Sequence, residues 1–361
     1  MKGTKMKLKK TITIVTGPMA GHGGEETVVT KFINEFSGKI DFNLYISQII
    51  GDTTWIQQLD SNTRVTIGTA STNRLVKAAQ LLNYMCQCRS DAVIVFTPRL
   101  LFLVNLAKKI MLRRYRVISW IQFSIDNYFS KRDKSYFKLA DDHLAISTGI
   151  QQQLSALGID DKKIHLIYNP VSKSKQVIVP DMNQVDFVYI ARIQFEKQKN
   201  MRALFDACSQ LTGLWRLHIY GADTTFAQSE YHTCVDYIRR LGIESHIVWH
   251  GWVSDVWQHI NHANALVLCS KFEGFGMVLA EAASRGLPLI SFNCPVGPAD
   301  VINVDNGFLI EDGNVDELAQ VMQGFVNKRF HFSEAKVKQS IDRLYEDTYY
   351  QRVEKTLAKL V

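Results

Sequence analysis

At 361 residues, 46% of them hydrophobic and 21% charged, the chain has an ordinary globular composition and length for two domains of about 170 residues each. No apolar run reaches the roughly 18 residues a membrane-spanning helix needs. The net charge of +7 favours an anionic partner, but the basic residues form no recognisable nucleic-acid module, which argues against nucleic acid.

The opening MKGTKMKLKKTITIV is basic and then apolar, yet Thr11 and Thr13 alternate with Ile12, Ile14 and Val15. It reads as a first strand over 11–16, not as a cleaved leader. A glycine-rich loop, GPMAGHGG (17–24), precedes a helix over 25–36 with Val28, Val29, Phe32, Ile33 and Phe36 on one face. Further strands are expected at 41–46, 63–68, 92–97, 117–122 and 143–146, and helices at 73–88, 100–112, 136–140 and 148–157. This βαβ alternation gives a doubly wound parallel sheet. The helix within 98–116 pairs an apolar stripe (Leu100, Leu103, Val104, Ala107, Met111) with a cationic end. That end either complements the helix dipole or forms a membrane-surface patch. Gln122 and Asp126, in WIQFSIDNYF, lie at a strand's carboxyl end. The six cysteines are scattered without metal-ligand spacing and read as reduced thiols of a cytoplasmic protein.

Residues 164–171 read as an exit strand, and the polar, aperiodic stretch 172–184 as a linker. The pattern then restarts with a strand at 186–190. Its loop, ARIQFEKQKN, carries Arg192, Lys197 and Lys199 ahead of a helix over 201–210. Taken alone, that is an ordinary charged loop. Strands at 216–221 and 246–253 follow, and a charged amphipathic helix over 335–360 ends the chain.

The most informative stretch is 265–290, ALVLCSKFEGFGMVLAEAASRGLPLI. A buried strand leads into a short loop with Glu273, Gly274 and Gly276, then a helix over 277–284 stopped by Gly286 and Pro288. The loop sits at a strand's carboxyl end, where open α/β sheets bind ligands. Amides at the helix start suit a diphosphate, and the glycines let it approach closely. Glu273 and Glu281 can face one cleft, and carboxylates beside a diphosphate make sense if they hold sugar hydroxyls. The alternative is that Glu273 caps the helix and Glu281 is merely solvated.

This E-x7-E spacing in an FEGFGMVLAEA setting resembles the donor site of retaining, nucleotide-sugar-dependent glycosyltransferases of the GT-B fold. It is most similar to the bacterial lipopolysaccharide 1,6-galactosyltransferase group. The resemblance runs from GHGGEETVV through HLAISTGI, YNPVS and HGW to about Gly307. It implies an α/β protein of two Rossmann-like, doubly wound domains facing a central cleft. The acceptor-side domain would be 1–171, the linker 172–184 and the donor-binding domain 185–334, with 335–361 returning to the first domain. By the same resemblance, Gly23 and Gly24 lie under the donor diphosphate and Glu26 orients their loop. Arg192 with Lys197 or Lys199, and amides of Gly274, Phe275, Gly276 and Met277, would neutralise the diphosphate. Glu273 would hold sugar hydroxyls, Glu281 the ribose, and Trp252 and Val253 the nucleobase. Gln122 stands where the family often has a histidine, so an acid–base role there is not carried over. As a neutral amide it can still bond a sugar hydroxyl, and Asp126 could hold an acceptor hydroxyl. No Asp-x-Asp is present, so no cofactor or metal is expected. The implied activity is transfer of a hexose, galactose from UDP-galactose in the first instance, to a cell-surface glycan or lipid-linked acceptor. The enzyme would be cytoplasmic, and peripheral on the inner face of the membrane through its basic patch. UDP-glucose as donor, a UDP-sugar 2-epimerase, or a non-catalytic nucleotide-sugar-binding module are the alternatives.

Overall fold

The structure is a computed structural model that describes residues 9–21 and 24–361. It divides into two compact units, one of residues 1–170 with 349–361 and one of residues 171–348.

The first unit is built, in chain order, from β1 (Lys10–Met19), α1 (Gly24–Phe36), β2 (Ile40–Ile49), β3 (Arg64–Ile67) and α2 (Arg74–Gln87). There follow β4 (Ala92–Val95), α3 (Pro98–Ile110), β5 (Arg116–Ile121), α4 (Ile125–Tyr128) and α5 (Lys131–Ser135). It closes with β6 (Asp142–Ala145), α6 (Thr148–Ala156) and β7 (Ile164–Leu166). The strands form one parallel sheet in the order β3-β2-β1-β4-β5-β6-β7. The expected exit strand is therefore the sheet's seventh member, paired with β6. Ile12, Ile14, Ala92, Val93, Ile94 and Val95 are fully buried, as central parallel strands covered on both faces require.

The second unit contains β8 (Val185–Ile190), α7 (Met201–Cys208), β9 (Trp215–Tyr220), α8 (Ser229–Leu241) and β10 (Ile247–Gly251). Next come β11 (Ala265–Leu268), α9 (Met277–Ala283), β12 (Leu289–Phe292), β13 (Gly307–Ile310) and α10 (Val315–Val326). The parallel sheet has the order β10-β9-β8-β11-β12-β13. Residues 172–184 are held within this unit. Gln176 Nε2 donates to the carbonyls of Trp257 and Ile260 at 2.8 and 2.9 Å, and Ile178 N donates to Arg285 O at 3.0 Å.

Instead of one terminal helix there are two, α11 (Glu334–Gln339) and α12 (Glu346–Leu360), separated by the short turn Asp342–Leu344. From Tyr349 onward α12 belongs to the first unit: Tyr350 packs its ring 6.0 Å from that of Phe36, and Arg352 Nη1 donates to Ile167 O at 3.0 Å. Five elements, α4, α5, α8, β13 and α10, have no counterpart in the sequence reading, and the helix expected over 136–140 is only a short 3-10 turn, Tyr136–Leu139. α8 carries an apolar stripe of Tyr231, Cys234, Val235, Ile238 and Leu241, all buried or half-buried, which the sequence reading did not pick out. β13 is only four residues long, and α10 follows it after a short turn. All six cysteines are free.

Candidate functional site

In the second sheet β8 and β11 are neighbours, and the strand order reverses between them. The loops leaving their carboxyl ends therefore run side by side, the position where open α/β sheets take ligands. Gln198 joins them. Its Nε2 donates to Phe272 O at 3.0 Å, and its carbonyl accepts from Lys271 N at 2.9 Å. Its Oε1 accepts from Arg192 Nη2 at 3.0 Å, which holds the exposed guanidinium beside the second loop.

Lys199 crosses to that same loop. Its Nζ lies 2.6 Å from Glu273 Oε1, with only 13% and 9% of the two side chains exposed. Lys197 takes the opposite direction. It is 62% exposed and lies 2.7 Å from Glu230 Oε1, on α8. The other oxygen of Glu230 accepts from Phe195 N at 2.7 Å. The two lysines are two residues apart in sequence, and the bends and turn of the loop over 195–199 send them to different partners.

After Glu273 the chain passes half-buried Gly274 and buried Phe275 and turns into α9 at Gly276, whose φ of +82° lies in the left-handed region. Gly297 backs this turn: a Cβ there would sit 2.7 Å from Phe275 O, and its φ is +103°. Gly276, not Glu273, is the N-cap of α9, and the Glu273 carboxylate instead meets Lys199. Met277 is the first helical residue and is half-buried.

Glu281, two turns along, is not simply solvated either. Its Oε2 accepts from Trp257 Nε1 at 2.9 Å. Trp257 is 5% exposed in the turn Val256–His259 after β10, and the Arg285 guanidinium lies 4.5 Å from its ring centroid. Burial holds the Arg285 pKa below its usual value. Trp252 is 58% exposed and Val253 half-buried, both just past β10.

In the first unit, Gly24 is the exposed first residue of α1, while Gly23 and the basic residues before Lys9 lie outside the described residues. Glu26 orients the glycine-rich loop: its Oε1 accepts from Ala20 N and Gly21 N, both at 2.9 Å. Gln122 is 7% exposed just past β5 and accepts from Asn169 Nδ2 at 3.4 Å. Its own Nε2 and Asn169 Oδ1 are buried without a hydrogen-bond partner among the described residues. Buried amide atoms left unpaired cost free energy. Asp126 is exposed on α4 and engaged by Lys134 at 2.5 Å.

The cationic end of α3 divides. Lys108 pairs with Asp141 at 2.9 Å, Arg113 donates to Cys86 O at 2.8 Å, and Arg116 pairs with Asp142. Lys109 and Arg114 stay exposed, beside Ile110, Met111 and Leu112 at 63%, 39% and 87% exposure. Met111 thus leaves the expected core stripe, and Leu101 takes a place in it.

Gln198 and Trp257 were not singled out from sequence, and Asn169 was read only as part of a turn. Gln198 lay in plain view between the two candidate lysines. Trp257 lies 24 residues from Glu281, and no local spacing connects them.

A family model described as glycosyl transferases group 1 matches residues 184–328. The lipopolysaccharide 1,6-galactosyltransferase of Escherichia coli (strain K12) is 32% identical over 97% of this chain and 98% of its own length. The enzyme of the same name from Salmonella typhimurium is also 32% identical, over 94% of this chain and 96% of its own. Among solved structures, the lipopolysaccharide outer core galactosyltransferase WaaB in its apo form superposes with a TM-score of 0.86 at 30% identity. That match covers 97% of this chain and all of the other. Anabaena HepE in complex with UDP, at 19% identity and a TM-score of 0.81, shares the fold over 98% of this chain and all of its own.

Proposed function

Since the chain belongs to the group 1 glycosyltransferases of GT-B fold, and is a hexosyltransferase, we propose that it moves galactose from UDP-galactose to a hydroxyl of a lipopolysaccharide-type glycan. The observation that carries this reading is the cluster of Arg192, Lys199 and Glu273 at the β8–β11 switch point. Two cations beside a buried carboxylate suit a sugar diphosphate, whose charge grows as the bond to the sugar breaks. In this reading Arg192 forks onto phosphate oxygens while Lys199, rather than Lys197, supplies the second charge. The Lys199–Glu273 contact fits that role, because one ammonium can bridge a diphosphate and the carboxylate that holds sugar hydroxyls. Lys197 is committed to Glu230 on the surface.

Glu281 would take the ribose hydroxyls, with Trp257 fixing its carboxylate, and Trp252 and Val253 would border the base. Gly24 and the amides from Gly274 to Met277 would approach the diphosphate. Gln122 would offer its unpaired Nε2 to a hydroxyl of sugar or acceptor, a hydrogen-bonding role that needs no proton transfer. Asp126 would have to exchange Lys134 for an acceptor hydroxyl. No group in this arrangement is set up as a covalent nucleophile. Retention would follow from attack on the face the diphosphate leaves, with a phosphate oxygen taking the acceptor proton. Protein cations would supply the charge stabilisation, so transfer would need no metal. No helix is long and apolar enough to cross a membrane among the described residues. Exposed Lys109 with Ile110 and Leu112 at the end of α3 suits contact with an anionic lipid surface, consistent with a peripheral enzyme on the cytoplasmic face.

The test is UDP release and thermal shift with UDP-galactose, UDP-glucose, UDP-N-acetylglucosamine and GDP-mannose in EDTA, for wild type and Glu273→Ala. Stabilisation and slow turnover with UDP-galactose, both lost in the variant, are expected. A metal requirement, or a response only to another donor, would overturn that part of the reading.

A further inference from the structure

In the first unit the sheet face beneath α2 is polar where a parallel sheet is ordinarily apolar on both faces. Strand register places Thr13, Asn43 and Arg64 in one row and Tyr45 beside Thr66 in the next. The opposite face carries Ile12, Ile14, Phe42 and Leu44, all buried. α2 answers with polarity of its own. It buries only Leu81 and Met85, while exposed Gln80, Asn83 and Gln87 and half-buried Tyr84 line the space beside the sheet. Between them lies a cavity of about 900 Å³. Apolar side chains here would have gained roughly 25 cal/mol for each Å² buried. A polar lining on two independent elements forgoes that gain.

The lining has the chemistry of a sugar site. Amides of Asn43, Asn83 and Gln87 line the groove; Asn43 Nδ2 donates to Thr13 Oγ1 at 3.3 Å and Gln87 Nε2 to Asn83 Oδ1 at 3.5 Å, and the rest of their donors and acceptors suit hydroxyls. The rings of Tyr45 and Tyr84, 4.8 Å apart, provide an aromatic wall for the apolar face of a pyranose. Arg64 and Arg89 are exposed at the rim and form no ion pair with any described residue. A second cavity of about 430 Å³ shares Cys88 and Arg89 with the first and adds Arg113, Arg114 and Asp91. The joined groove carries five cations, Lys9 included, against the carboxylates of Asp41 and Asp91. Asp41 and Asp91 already meet Lys9 and Lys10, at 4.0 and 3.5 Å. Guanidinium groups fork onto phosphate or carboxylate oxygens.

We propose that this groove is a second binding site, for a saccharide bearing acidic substituents, and is separate from the donor-binding loops. It reaches the amino ends of β1 and β2 at Thr11 and Asp41, whereas the glycine-rich loop leaves the carboxyl end of β1. The saccharide could be a phosphorylated stretch of a glycan chain or a free sugar phosphate. Both present the same anionic hydroxylated ring.

Calorimetric titration of the full chain distinguishes them. The probes are a deacylated, phosphorylated lipopolysaccharide core oligosaccharide, the same oligosaccharide after phosphatase treatment, glucose 6-phosphate, and inorganic phosphate. The acidic oligosaccharide or glucose 6-phosphate should bind, and the tighter of the two identifies the source. Dephosphorylation, or the Arg64→Gln/Arg89→Gln pair of exposed substitutions, should weaken binding at least tenfold, and Tyr84→Ala should weaken it as well. Glu273→Ala should leave it unchanged, so failure here and failure of the donor assignment are distinguishable. Absence of binding by all probes would overturn the proposal. So would inorganic phosphate matching the sugars, or affinity unmoved by both the arginine and the Tyr84 substitutions.

Discussion

Replacing each candidate lysine by methionine separates the two on both stability and rate. Lys199 and Glu273 form a 2.6 Å pair with side chains 13% and 9% exposed. Removing the ammonium leaves a largely buried carboxylate alone, and breaking such a pair costs about 3 kcal/mol. For a unit of this size that lowers Tm by roughly 6–12 °C. Lys197, 62% exposed against Glu230, is a surface pair worth about 0–1 kcal/mol, and its Tm should move by only a few degrees. Turnover should divide in the same way. Losing one positioned charge at a developing anion costs on the order of 10²–10³ in kcat, whereas Lys197→Met should stay within about threefold of wild type. A neutral pair, Lys199→Met with Glu273→Gln, isolates the chemistry from the folding. It removes both charges and should recover most of the stability, as buried ion pairs replaced by neutral groups commonly do, without recovering turnover. The assay is UDP release against donor concentration, beside thermal unfolding of each variant. Loss of turnover in Lys197→Met with near-normal rates in Lys199→Met would refute the assignment.

Three further outcomes follow from the geometry. Trp257→Phe removes the 2.9 Å hydrogen bond to Glu281, a bond to a charged group worth about 1.5–3 kcal/mol; UDP should bind roughly tenfold or more weakly by calorimetry, and unaltered affinity would remove Trp257 from the site. Gly297→Ala should lower Tm, because a Cβ would meet Phe275 O at 2.7 Å on a backbone with φ of +103°, and it should slow turnover by shifting the turn before α9. A neutral Tm change would show that the two loops separate freely. His143 is 1% exposed with Nδ1 2.6 Å from Ser119 Oγ, and burial lowers its pKa from 6.5 to about 4. The unfolded chain takes up that proton below pH 6.5 while the folded chain does not, so stability falls as pH drops from 6.5 toward 4, by about 3 kcal/mol. Urea unfolding at pH 7 and pH 4.5 should show a smaller difference in His143→Gln than in wild type.

The sequence by itself determined the alternation of buried strands with helices, because parallel strands covered on both faces need unbroken apolar runs such as 92–95 and 265–268. It also determined the loop around Glu273: the glycines needed for its turn and the helix that follows are contiguous in the chain. α8 went unread although Tyr231, Cys234, Val235, Ile238 and Leu241 recur at helical spacing in the sequence. Where each charge goes was decided only by tertiary structure. Lys197 and Lys199 look alike in a line of text, but the switch point between β8 and β11 brings a second loop alongside, and only Lys199 reaches it. Trp257 finds Glu281 and Gln198 finds Phe272 through the same juxtaposition of strand ends. The groove under α2 is the clearest case. Thr11, Asp41 and Asn43 look like the solvent sides of alternating strands until the register of three strands and the placing of one helix set them around a common space.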